Sequence, residues 1–104
     1  MDTVISNEIL QQFKDRMRLG DDEDDNLRRI LSASNQELTR VCGSYDINND
    51  EAFKELVFER SRYAYNDALE YFNNNFLTMI NSFSIEKALE EIVLDGESYA
   101  SFSV

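Results

Sequence analysis

The sequence predicts an all-α protein. Two observations lead there: the 104 residues include no Pro and only three Gly, and several long stretches carry apolar residues at the three-and-four spacing of a helix face. The expected architecture is a small antiparallel helical bundle of three main helices, about 6–18, 22–42 and 50–73, with a short fourth helix near the C-terminus and no sheet. A chain of this length makes one domain with a single modest core. Residues 1–84 supply its helical body, and residues 85–104 add a short amphipathic helix and a flexible tail.

The elements follow in order. Met1 to Ile5 are expected to fray. Ser6 or Asn7 caps a helix that runs to about Met17, striped by Ile9 or Leu10, Phe13 and Met17. Leu19 and Gly20 end it, Gly20 being suited to the left-handed conformation beyond a helix. The acidic run Asp21 to Asp25 lacks the alternating spacing of a calcium loop. It lies where the second helix begins, so it reads as capping and as a complement to the helix dipole. That helix is striped by Leu27, Ile30, Leu31, Ser34, Leu38, Val41 and Cys42 and stops at Gly43, with Arg28, Asn35, Gln36 and Glu37 on a solvated face. Cys42, the single cysteine, reads as a small buried thiol with no histidine to activate it.

In the connection that follows, Asp46, Asn48 and Asp50 match the first three ligand positions of an EF-hand loop. Glu51 and Val57 stand where that loop needs Gly and a bidentate Glu, so calcium is not expected. Asn49 or Asp50 caps the next helix instead. From Phe53 to Phe76 the chain reads as one core helix, with Phe53, Leu56, Val57, Ala64, Ala68, Leu69 and Phe72 on its apolar face. At its middle stand Arg60, Arg62, Tyr63, Tyr65, Asn66 and Asp67. The i,i+4 pairs Arg62–Asn66, Tyr63–Asp67 and Asp67–Tyr71 suit a buried network that fixes how helices dock. The other reading of these residues is a protein interface, where Arg and Tyr are enriched.

Asn73, Asn74 and Asn75 weaken helix propensity, so the long helix ends or bends there. Phe76, Leu77, Met79, Ile80 and Phe83 continue the core. Ser84 opens a short helix to Leu94, with Ile85, Ala88, Leu89, Ile92 and Val93 among Glu86, Glu90 and Glu91. Asp95 and Gly96 end it before a tail carrying Tyr99 and Phe102. Packing is expected to centre on Phe13, Leu27, Ile30, Leu31, Leu38, Val41, Phe53, Leu56, Val57, Ala64, Ala68 and Phe72.

With 21 acidic against 10 basic residues, the net charge is −11. That charge opposes binding to nucleic acid or to an anionic membrane surface and favours protein partners with positive surfaces. No stretch approaches the ~20 apolar residues of a membrane span, and the N-terminus lacks the regions of a signal peptide, so a cytosolic protein is expected. Without His, metal-ligand spacing, a Gly-rich phosphate loop or a nucleophile elbow, neither a cofactor nor an enzymatic activity is expected. One function left open by charge is that of an acidic DNA mimic filling a basic groove.

The stretch ELVFERSRYAYNDALEYFNNNF, preceded by RMRLG, the run DDEDDNLRRILSAS and a second helix ending CG, resembles the small head-tail connector proteins of long-tailed bacteriophages. The resemblance spans about Glu8 to Phe83 and is most specific in Glu59, Arg60, Arg62, Tyr63, Tyr65, Asn66, Asp67, Ala68, Leu69, Glu70 and Phe72. It implies an all-helical virion protein made in the host cytoplasm. It further implies self-association into an adaptor ring of about a dozen subunits between the portal and a neighbouring connector or tail protein. The segment from Ile85 to Val104 lies outside the three main helices, and its apolar Ile92, Val93, Leu94, Tyr99 and Phe102 are the candidate partner-binding residues.

Overall fold

The computed structural model describes residues 5–94, with side chains as far as residue 90. It consists of four α-helices, α1 (Asn7–Met17), α2 (Asp24–Cys42), α3 (Glu51–Tyr65) and α4 (Phe72–Leu94), with a 3-10 turn, Leu69–Tyr71, between the last two. There is no strand among the described residues. None of their helices is long and apolar enough to cross a membrane.

Local chemistry sets most of the helix ends. The Ser6 side chain accepts from the Ile9 N–H at 3.1 Å and opens α1, and the Asp50 carboxylate accepts from the Phe53 N–H at 2.9 Å and opens α3; each satisfies one of the orphan donors of a first turn. α1 closes on Arg18, not Gly20. Arg18 takes the left-handed conformation (φ 59°, ψ 47°), the Leu19 N–H returns to the Lys14 carbonyl at 2.9 Å, and Leu19 packs on the core. The hydrophobic contact beyond the cap thus fixes the end two residues before the glycine. α2 begins at Asp24 without a side-chain cap, Asp24 and Asp25 lying in its first turn. It ends as expected at Gly43, whose φ is 104°.

Phe53 to Phe76 is not one helix. α3 stops at Tyr65, Asp67 enters the left-handed region at φ 62°, and the Ala68 N–H folds back to the Tyr63 carbonyl at 2.8 Å. The Asn66 amide nitrogen donates to the Arg62 carbonyl at 3.0 Å. Asn and Asp are the residues that most readily leave the helical well in this way, since their short polar side chains bond to the backbone locally. The reversal brings Phe72 back onto α3: its ring lies 5.6 Å from that of Tyr63, whereas nine residues along a straight helix would separate them by about 13 Å. Phe72 and Phe76 stack at 4.8 Å, and Tyr63 meets Phe76 edge-on at 5.7 Å. Aromatic packing of this kind holds the reversal closed.

α4 is therefore the longest helix, at 23 residues, rather than a short one starting at Ser84. After the three asparagines it bends without ending, Phe76 having non-helical dihedrals (φ −119°, ψ 15°), and it passes through Ser84 uninterrupted.

The core gathers Ile5, Ile9, Leu10 and Phe13 from the N-terminal region, Leu27, Leu31, Leu38 and Cys42 from α2, Phe53, Leu56, Val57 and Phe58 from α3, and Phe72, Ile80 and Phe83 from α4, together with Ile47. Ile5 is fully inside, not frayed: its carbonyl accepts from Arg28, so that arginine is half-buried and not solvated. Ile30, Val41, Ala64 and Ala68 are only half-buried. Phe58 replaces them, packing against Phe13 at 5.4 Å. Cys42 is buried, which raises its thiol pKa. α2 touches α1, α3 and α4 in turn.

Candidate interaction surface

Ion pairs knit the outside of the first three helices. Lys14, which no sequence pattern singled out, is 4% exposed, and its ammonium donates to Asp21 at 2.6 Å and Asp24 at 2.8 Å. These bonds hold the Asp21 carboxyl below its usual range and the Lys14 ammonium above its own. Two members of the acidic run thus lock the end of α1 to the start of α2. Arg16 donates from both terminal nitrogens to Glu55, at 2.9 and 2.6 Å, and to Glu59 at 3.1 Å. Its guanidinium lies 5.6 Å from the centre of the Phe58 ring, so α1 is tied to α3 by charge and by cation–π contact together.

The Arg/Tyr cluster is dispersed. Arg60 reaches Ser34 on α2 at 3.1 Å, Arg62 pairs with Glu59 at 2.6 Å, Tyr63 accepts from Asn75 at 2.9 Å, and Tyr65 donates to Glu23 at 2.7 Å. Asn66 and Asp67 are exposed. None of the three expected i,i+4 side-chain pairs forms among the described residues, because the helix that would align them ends at Tyr65. The cluster ties α3 to α2, to the α1–α2 connection and to α4 instead. Burial lowers the Arg60 pKa against the pull of Glu37.

The loop from Ser44 to Asp50 is closed on itself. Asp46 accepts from the Asn48 N–H at 2.9 Å and the Asn49 amide at 2.6 Å, a local turn motif that occupies its carboxylate. Tyr45 links this loop to α4: its hydroxyl donates to the Phe83 carbonyl at 2.7 Å, its ring stacks on Phe53 at 5.2 Å, and the Lys87 ammonium sits 4.5 Å from its centre. Desolvation, helped by the nearby Glu86 and Glu90, pushes the phenol up to about 12.

Among the described residues, most of the exposed large apolar side chains are on the last helix. Leu77 is 53% exposed, Met79 45%, Ile85 60% and Leu89 46%, so Leu77 and Met79 do not join the core as the sequence pattern suggested. Of these, Met79 alone lines the groove formed with Ala52, Phe76 and Phe83 and the polar Asn75, Thr78, Ser82 and Glu86. Ile92, Val93 and Leu94 continue α4, but their side chains lie outside the described residues, as do Tyr99 and Phe102. Among the described residues no three His, Cys, Asp or Glu side chains gather to hold a metal ion. The arrangement is suited to covering apolar surface with another macromolecule.

No family model matches the chain, and neither a curated protein nor a solved structure does.

Proposed function

We propose that the protein is a structural adaptor of a long-tailed phage virion, assembling into a ring between the portal and the next connector or tail component. The observation that carries the reading is the run of exposed apolar side chains on α4, in a chain whose other helices bury one face and pair the charges on the other. Apolar side chains that a helix leaves exposed are suited to an interface, and in this reading assembly covers them. The likeness of ERSRYAYNDALEYFNNNF to head-tail connectors supplies the identity of that assembly. In this reading the helices pack as a small antiparallel bundle, the subunit is made in the host cytoplasm, and it acts by binding alone. The acidic surface lets DNA pass the ring without sticking.

Electron microscopy of the purified protein mixed with its portal tests the proposal. Closed rings seated on the portal are expected; a subunit that forms no ring and leaves the portal bare would sink it. The DNA-mimic reading is the less favoured one, since Asp21, Asp24, Glu37, Glu55 and Glu59 are engaged by the protein's own cations.

A further inference from the structure

The reversal between α3 and α4 is a short joint held from outside itself. Only residues 66–68 separate α3 from the 3-10 turn, and Asp67 sits there at φ 62°, a region that costs any residue with a Cβ. No Gly or Pro stands between Phe53 and Phe76 to require a break. Drawn as one helix, the stretch places Phe53, Val57, Ala64, Ala68 and Phe72 within about 100° of one another, the width of a buried stripe. It also brings Tyr71, 58% exposed in the reversed form, to the edge of that stripe, and it sets Asp67 at i,i+4 from both Tyr63 and Tyr71. The chain thus has two arrangements here, straight and reversed, and the docking of α4 selects the reversed one.

We infer that this reversal is a hinge by which two copies of the chain exchange α4, α3 and α4 of each joining into one long helix and each α4 docking on the other copy. The seat of α4 names the partner. α4 cannot leave alone, since Phe72, Ile80 and Phe83 are at most 9% exposed and would enter water together with the Phe53 ring beneath them. The seat it vacates fits α4 in detail. Tyr45 gives its hydroxyl to the Phe83 carbonyl at 2.7 Å, Phe53 meets the Phe83 ring edge-on at 5.9 Å, and Gly43 leaves a space that a Cβ would fill 2.5 Å from Lys87 Cγ. The α4 of a second copy remakes each of these contacts, so exchange gives none of them up, and it relieves the left-handed residue in both chains. Opposing it are the entropy of pairing two chains and the repulsion between copies that each carry −11, a repulsion that salt screens. The inference stands apart from the connector reading, because exchange pairs copies whether or not they meet a portal.

The test refolds the full chain from urea at low and at high concentration and separates the products by size. A dimer is expected at high concentration, in greater yield as salt is raised. Ser44→Cys/Lys87→Cys, at either side of the close approach of Gly43 to α4, reports which chain holds which helix. A short bismaleimide is expected to join the two cysteines within one chain in the monomer and between chains in the dimer, as a denaturing gel shows. Hydrogen exchange gives a second readout, the amides of residues 66–68 gaining protection in the dimer. Asp67→Ala, which penalises the reversal and suits a helix, is expected to lower the dimer dissociation constant at least about tenfold, and Asp67→Gly to raise it at least about tenfold. Asp67→Asn removes the charge but keeps the tolerance for positive φ, and is expected to stay within about threefold of wild type. A wild type that remains monomeric at every concentration would overturn the exchange, as would a dimer whose links all lie within single chains. An Asn variant that matches Ala would put the effect down to charge repulsion and overturn the hinge.

Discussion

The first three helices and the fourth solve the burial problem differently. α2 sends Leu27, Leu31, Leu38 and Cys42 to one side, and α3 likewise buries Phe53, Leu56 and Val57. Around them Lys14, Arg16 and Arg62 spend their charges on carboxylates of the same chain. α4 buries Phe72, Ile80 and Phe83 yet leaves Leu77, Met79, Ile85 and Leu89 in water. The contrast separates two kinds of apolar residue that hydropathy treats alike: those that the fold consumes and those that it presents. Stability experiments should tell them apart.

The largest expected difference lies between the two classes themselves. Leu31→Ala or Leu56→Ala, each removing a side chain that is 0% exposed, is expected to cost about 2–5 kcal/mol through lost transfer energy and the cavity left behind. Ile85→Ala or Leu89→Ala is expected to stay within about 0.5 kcal/mol in the isolated subunit. Urea denaturation of the four variants reads both numbers. A loss of several kcal/mol at Ile85 would mean that α4 packs on that side too, and the contrast would collapse.

Next in size is the joint between the regions. A Cβ on Gly43 would lie 2.5 Å from Lys87 Cγ, and φ there is 104°. Gly43→Ala therefore pays twice, in backbone strain and in pushing α4 off the end of α2, for roughly 1–3 kcal/mol. Thermal melts of Gly43→Ala alone and with Lys87→Ala separate the two parts. Removing Lys87 is expected to restore some stability to the variant, and no recovery would show that α4 does not press on the glycine.

The helical class and several element ends were legible because their causes are local: Ser6 and Asp50 each bond to a backbone N–H three residues on, and Gly43 ends α2. The reversal after Tyr65 was not. Asn66-Asp67 sits in a run without Gly or Pro and passes for the polar side of a helix, and only the return of Phe72 to Tyr63, a tertiary contact, makes the break favourable. Lys14 was equally silent, since its partners Asp21 and Asp24 become neighbours only when α1 and α2 fold together. As for the candidate surface, periodicity shows that α4 has apolar faces. Which of them the rest of the chain covers depends on where the reversal aims the helix.

That reversal gives the third prediction. Asp67 is exposed, so its role is conformational and not the satisfaction of a buried donor. Asp67→Gly is expected to hold or slightly raise the melting temperature, because Gly accepts φ 62° without a Cβ penalty. Asp67→Ala is expected to cost about 1–2 kcal/mol. Equal effects of Gly and Ala would mean that the carboxylate itself matters, and the buried-network reading of the cluster would return.

The smallest effect is expected where the two regions touch through a single hydroxyl. Tyr45→Phe keeps the ring against Phe53 and Lys87 and removes only the bond to the Phe83 carbonyl, for about 0.5–1.5 kcal/mol near neutral pH. The alkaline range tests the same contact in a second way. In the folded protein the Tyr45 phenol is held up to about 12, chiefly by desolvation, against 10.0 for a free phenol. A raised folded pKa contributes stability that is complete below the unfolded value and drains away as pH climbs through the folded one. The advantage of wild type over Tyr45→Phe should therefore be constant up to about pH 10 and narrow between about pH 10 and pH 12. Ultraviolet titration of the folded protein should show one fewer late-ionising phenol in the variant. A phenol at Tyr45 that ionises with the exposed tyrosines would mean that α4 is not held against the loop by this bond, leaving the Phe53–Phe83 contact and the packing of Phe72 and Phe76 on Tyr63 among those that join the two regions.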